Sequence, residues 1–158
     1  MLCNEERTFV AIKPDAVKRG LIGRILSKIE DKGYKIVALK MIQLTDDMAA
    51  KHYAEHADKP FFQALKNFIT SGPIIAMVLQ GENAIVGVRK FMGKTDPNDA
   101  EVGSVRGDFA QVKRFNAIHG SDCKESAERE IDLYFKPEEI CDGWETVLEM
   151  IMKNEQFN

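Results

Sequence analysis

Six apolar residues run without interruption over 74–79, directly behind the break Gly72-Pro73. A run that short and that apolar, cut off by a glycine and a proline, reads as a strand. It is the longest apolar run in the chain and far too short to span a bilayer, so no membrane partner is expected. Two more β-prone stretches, 8–12 and 34–44, alternate with segments of helical spacing. The first is stopped by Lys13-Pro14-Asp15 and so delivers a lysine to its C-terminal end.

Between the strands the period changes. Leu21, Ile22, Ile25, Leu26 and Ile29 follow helical spacing, and Gly33 stands where a helix C-terminus favours glycine. Thr45-Asp46-Asp47 caps a short helix carrying His52, Tyr53 and His56. Pro60 fits the first turn of the next helix, whose apolar face holds Phe61, Phe62, Leu65, Phe68 and Ile69. Residues 83–92 read as a helix with Ile85, Val88, Phe91 and Met92 inward. Residues 93–114 lack periodicity, and a loop that long inside a compact domain is usually functional. A fourth strand is expected over 115–119. Asp122 with Glu125 resembles a capping box for a helix bearing Glu130. Trp144, Val147, Leu148 and Ile151 form a last helical stripe, expected to pack on its own domain or on a neighbouring subunit.

This order predicts an α+β fold: a ferredoxin-like βαββαβ sandwich with a four-stranded, mainly antiparallel sheet covered by helices. A long phosphate-site loop and a C-terminal helical extension, about 140–158, complete a single domain over 1–158. With 44% hydrophobic and 30% charged residues the chain is not of disordered composition. Its net charge of -3 exerts no general pull on nucleic acid or anionic membranes, so neither is a predicted partner. Any anion site must be a local cluster of cations. The N-terminus shows no signal peptide, and Cys3, Cys123 and Cys141 are odd in number without metal spacing. Free thiols in a reducing cytoplasm account for them, and a cytoplasmic protein is expected.

Asn116-Ala117-Ile118-His119-Gly120-Ser121-Asp122 carries the chemistry. A histidine leaving a strand into a turn can be held at one nitrogen and open at the other, and Glu130, eleven residues on, can hold it. Near neutral pH such an imidazole is a nucleophile that needs little activation. Lys13, Arg89, Thr95 and Arg106 lie at a strand end, a helix end and in the long loop, where side chains can converge on a polyphosphate. Arg106 stands between Gly103 and Gly107, where backbone can approach a ligand.

Two motifs are rejected. Residues 87–95 nearly make a P-loop, but five residues separate the glycines and the context is helical. His52 and His56 have a zinc-like spacing, yet Tyr53 takes the place of the motif glutamate and no third ligand is evident, so a solvated helix face is expected. A zinc-dependent hydrolase is the weak reading they leave.

Arg7-Thr8-Phe9-Val10-Ala11-Ile12-Lys13-Pro14-Asp15, His52-Tyr53, Lys59-Pro60-Phe61-Phe62, Ser71-Gly72-Pro73, Gly93-Lys94-Thr95-Asp96-Pro97, Arg106-Gly107-Asp108-Phe109 and the histidine stretch together resemble the nucleoside diphosphate kinase family. The resemblance runs to about residue 140. It implies transfer of the γ-phosphate of a nucleoside triphosphate, typically ATP, to a nucleoside diphosphate through a phosphohistidine on His119, with Mg2+ and a homo-oligomer, hexamer or tetramer. Carried over, Glu130 orients the ring and Tyr53 lies close to it. Arg89, Thr95 and Arg106 hold phosphates, and Lys13 reaches the transferring phosphate and the ribose. Asn116 contacts the ribose and Phe61 stacks on the base. The alternative is a catalytically silent nucleotide-binding module of the same fold, against which Lys13, Arg106, His119 and Glu130 together argue. Three positions depart from the family pattern: Lys113, Phe115 and Cys123.

Overall fold

The computed structural model describes residues 5–154. Four strands form one sheet: β1 (Glu5–Ile12), β2 (Lys35–Ile42), β3 (Ile74–Glu82) and β4 (Ile118–Gly120). Their order is β2-β3-β1-β4, and every neighbouring pair is antiparallel. This is the expected α+β, ferredoxin-like arrangement.

Helices cover both faces, which explains the unbroken apolar run. In β3, Ile75, Met77 and Leu79 enter one core, while Ile74, Ala76 and Val78 enter the other. β1 divides the same way, Val10 and Ile12 against Phe9 and Ala11. Successive side chains point to opposite faces, so a strand buried on both needs no polar residue. The first core is closed by α1 (Pro14–Lys18), α2 (Ile22–Lys32), α5 (Ala84–Met92) and α6 (Val105–Phe109). The second is closed by α3 (Asp46–His52), α4 (Phe62–Ile69) and α7 (Lys124–Tyr134). Each fully buried aliphatic side chain contributes about 1.5–3 kcal/mol, so β1 and β3 anchor the sheet. The three-residue β4 has little of this and depends on bonds from outside the sheet.

Gly33 ends α2 in the left-handed region at φ 91°, and Thr45 caps α3 by accepting from the Met48 amide. Other expectations need correction. α3 stops at His52, and His56 belongs to a separate 3-10 turn, Ala54–His56. Pro60 precedes α4 instead of opening it. The long loop contains a 3-10 turn, Pro97–Asp99, and the helix α6. β4 is shorter than 115–119 because Ala117 turns to φ 69°. Ser126 donates its amide to the Cys123 sulfur, so Cys123 caps α7 and the Asp122/Glu125 box does not form.

The C-terminal segment is tied to the sheet edge. Cys141 donates its amide to the Val37 carbonyl at a bulge in β2, Arg7 pairs with Asp142, and Lys35 reaches the Trp144 carbonyl. α8 (Val147–Asn154) then leaves its apolar side chains exposed, Val147 by 71%, and Trp144 lies outside it. No helix among the described residues is long and apolar enough to cross a membrane. Cys3 lies outside the described residues.

Candidate active site

β4 pairs with β1 so that His119 stands opposite Ala11, while Ile118 and Gly120 stand opposite Ile12 and Val10. Strand alternation therefore turns His119 toward the face of α3 and α7. There Glu130 lies 4% exposed, with Oε2 at 3.0 Å from His119 Nε2. Ser121 Oγ donates to the same oxygen at 2.6 Å. An ionised carboxylate only accepts, so Nε2 carries the proton and Nδ1 keeps its lone pair.

The approach to β4 is held by the phosphate-binding candidates themselves. Lys13 donates its amide to the Ala117 carbonyl at 2.8 Å, and the Ala117 amide donates to Asp15 Oδ2 at 3.1 Å. These bonds fix a left-handed alanine, a conformation that costs about 1–2 kcal/mol. Lys13 Nζ donates to Asn116 Oδ1 at 2.7 Å, and Asn116 Nδ2 donates to the Thr95 carbonyl at 3.0 Å. Arg106 is 5% exposed and donates to the carbonyls of Asn116, Gly93 and Ile118. Arg89 donates to the Gly120 carbonyl at 3.2 Å. Two guanidinium groups thus grip the backbone on either side of His119. The expectation that glycines bring backbone to a ligand at Arg106 is corrected: Arg106 sits in α6, and Gly107 is small because the Glu101 carbonyl occupies the space of a Cβ.

A cleft of about 200 Å³ opens over this arrangement. It brings together Lys13, Tyr53, Arg89, Thr95, Arg106, Asn116, His119 and Glu130. Phe61 is the exception: it is 49% exposed at the lip, its ring 5.7 Å from that of His56, which does line the cleft. Burial lowers the Lys13 ammonium to about 8, helped by Arg106 and opposed by Asp15. Burial also lowers Arg106 to about 10, with Arg89 adding to it. The Tyr53 phenol is pushed up to about 12 by burial and by Glu130, so it remains a donor at neutral pH. Such a site suits a polyanion: cations, a hydroxyl donor and a nucleophilic nitrogen converge in one space.

Sequence reasoning missed Glu55, Ser126 and Arg129, which also line the cleft, and it read His52 and His56 as a solvated helix face and Asp122 as part of a capping box, although all three line the cleft too. His52 is a plain correction: it is 5% exposed, not on a solvated face. Its pairing with Ala49, three residues earlier and also buried, was the available signal. Candidate ligand atoms of His52, His119 and Glu130 lie within 4.8 Å of one another. Lys13, Arg89, Arg106 and Arg129 line the same cleft, however, and their charges oppose a resident cation. Of the departures from the family pattern, Phe115 packs on Phe68 with ring centroids 5.1 Å apart, and Lys113 is exposed. Cys123 serves as the helix cap.

A family model described as nucleoside diphosphate kinase matches residues 6–140. A nucleoside diphosphate kinase of Moorella thermoacetica is 60% identical over 135 residues, 85% of this chain and 97% of that protein. One of Methanocaldococcus jannaschii is 60% identical over 138 residues, 87% of this chain and 99% of that protein. Among solved structures, the Halobacterium salinarum nucleoside diphosphate kinase in complex with CDP superposes with TM-score 0.89 at 47% identity, covering 94% of this chain and 98% of that one. A Babesia bovis protein of the same family gives TM-score 0.88 at 45% identity, over 93% of this chain and 99% of that one.

Proposed function

The chain belongs to the nucleoside diphosphate kinase family and transfers phosphate between nucleotides, and from that premise we propose that His119 is the group that carries the phosphate. The observation that supports this is the division of its ring: Nε2 bonded to a buried carboxylate, Nδ1 without that bond in a cationic cleft. The Nδ1 lone pair forms a bond to the terminal phosphorus as the bond from phosphorus to the bridging oxygen breaks. The nucleoside diphosphate leaves with that electron pair. The ring then carries a positive charge, which Glu130 balances through the Nε2 proton. A second diphosphate reverses the step through its own terminal oxygen, giving a ping-pong cycle.

Lys13, Arg89, Thr95 and Arg106 hold the phosphate oxygens, and Tyr53 supplies an O–H donor beside the histidine. Lys13 and Asn116, already bonded to each other, meet the ribose. Phe61 at the lip stacks on the base, a contact open to every base because each has a flat face. Mg2+ is the cation of this reaction, supplying charge neutralisation on the donor phosphates. It fits as part of the nucleotide, because the cleft's carboxylates are engaged: Glu130 by His119, Glu55 by Arg129 and Asp122 by Ser126. The protein works as a single domain over 1–158, extended from about residue 140, in a cytoplasmic homo-oligomer, hexamer or tetramer. Nothing observed favours a catalytically silent module.

Brief exposure to labelled ATP with Mg2+ yields an acid-labile, base-stable phosphoprotein that discharges onto added GDP. His119→Ala folds and takes no label. If that variant were still labelled, His119 would not be the nucleophile.

A further inference from the structure

His52 ends α3 beside the cleft, and no step of phosphate transfer described above uses it. Its ring meets His119 edge to face, with centroids 4.6 Å apart at 70°. Three more rings enclose it: Tyr53 at 4.7 Å, Tyr134 at 5.7 Å and Phe9 at 6.1 Å. Within this cage Nδ1 is buried without a hydrogen-bond partner. A phenyl or leucyl side chain would fill the same space without stranding a polar atom, a loss of stability that packing alone does not explain. Most buried polar atoms in native proteins are bonded, so one left in this state calls for a reason, of which a part in chemistry is one.

We propose that His52 is a positioning residue for His119, a neutral imidazole pressed against the nucleophile so that its uncompensated nitrogen favours the phosphorylated, positively charged ring over the free one. The ring nearest to that of His52 is His119 itself, with centroids 4.6 Å apart, and it becomes a phosphoimidazolium when its Nδ1 bonds phosphorus. For this His52 must not take a proton. Burial holds its imidazole well below the ordinary value, and His119, Arg129, Lys13 and His56 all press in the same direction. A charged ring at that distance would oppose phosphorylation, whereas a neutral dipole in a poorly solvated cage assists it. The inference rests on His119 as phosphate carrier.

The test compares wild type with His52→Phe and His52→Leu in single-turnover phosphorylation by labelled ATP, alongside nucleotide affinity and Tm. The expected result is a phosphorylation rate lower by about tenfold in both variants. Nucleotide affinity stays unchanged, and Tm is equal or higher because the stranded nitrogen is gone. Slower chemistry in an equally stable or more stable protein is a signature that a packing role does not produce. Wild-type rates in both variants, or a rate loss that tracks a lower Tm or weaker nucleotide binding, would overturn the proposal. Absence of label from the wild type would instead remove the phosphohistidine mechanism, and this inference with it, so the two failures are distinguishable.

Discussion

At the scale of single residues, Lys13 is asked to hold a charge that its surroundings resist. It must be an ammonium to bind phosphate, yet burial and Arg106 bring it down to about 8 from an ordinary value of 10.5. Its folded value is the lower one, so between those two values the unfolded chain binds more protons. Through this group, stability therefore rises with pH across that window and carries the full penalty below it. Nucleotide binding follows the opposite sense, because only the charged form attracts phosphate. The KM for nucleotide should rise above pH 8 and reach about tenfold its neutral value near pH 9. Steady-state kinetics across that range check this, with Lys13→Arg as the variant whose dependence flattens. An unchanged wild-type KM up to pH 9 would remove Lys13 from the charged set.

At the scale of elements, the site depends on one five-residue helix. α6 is capped by Ser104, which accepts from the Gly107 amide at 3.0 Å, and it carries Arg106 inward to three backbone carbonyls. Without that grip β4 would have few bonds to define the exit of His119. Gly107 is the weak point, since a Cβ there would overlap the Glu101 carbonyl, which is backbone and cannot swing aside. Gly107→Ala should lower Tm and activity together, costing about 1–3 kcal/mol as an overpacked site does. Gly23, in α2, has nothing near its missing Cβ, so Gly23→Ala should stabilise by about 0.5–1 kcal/mol. Paired thermal melts decide the matter, and equal behaviour of the two variants would contradict the crowding described at Gly107.

At the scale of the whole molecule, α8 stands apart from the cleft. The family match ends at residue 140, and among the described residues none of α8 lines the cleft. α8 instead exposes Val147, Leu148, Met150, Ile151 and Met152, an apolar surface on a short helix. The sequence stripe foretold an amphipathic helix there, but among the described residues nothing covers these side chains. Ending the chain after Thr146 keeps the Arg7–Asp142 pair and the Lys35–Trp144 bond. Such a truncation should leave turnover within about twofold of the full chain while binding of a hydrophobic dye falls. A large loss of turnover on truncation would show that the extension serves the site after all.

Local chemistry made much of this legible beforehand. The strands at 8–12 and 74–79, the glycine closing α2, the threonine capping α3 and the His119–Glu130 pair follow from side-chain period and turn residues close in sequence. The phosphate-binding set was legible as residue types, and its convergence could only be expected. What tertiary structure alone decided involves residues far apart in the chain. Ala117 is forced left-handed by Lys13 and Asp15, over a hundred positions away. Arg106 lines the cleft while also gripping backbone carbonyls, and His52 is buried against His119 instead of solvated. Period and propensity report which face a residue occupies; the neighbour across that face is set by how the layers pack, and no local pattern encodes it.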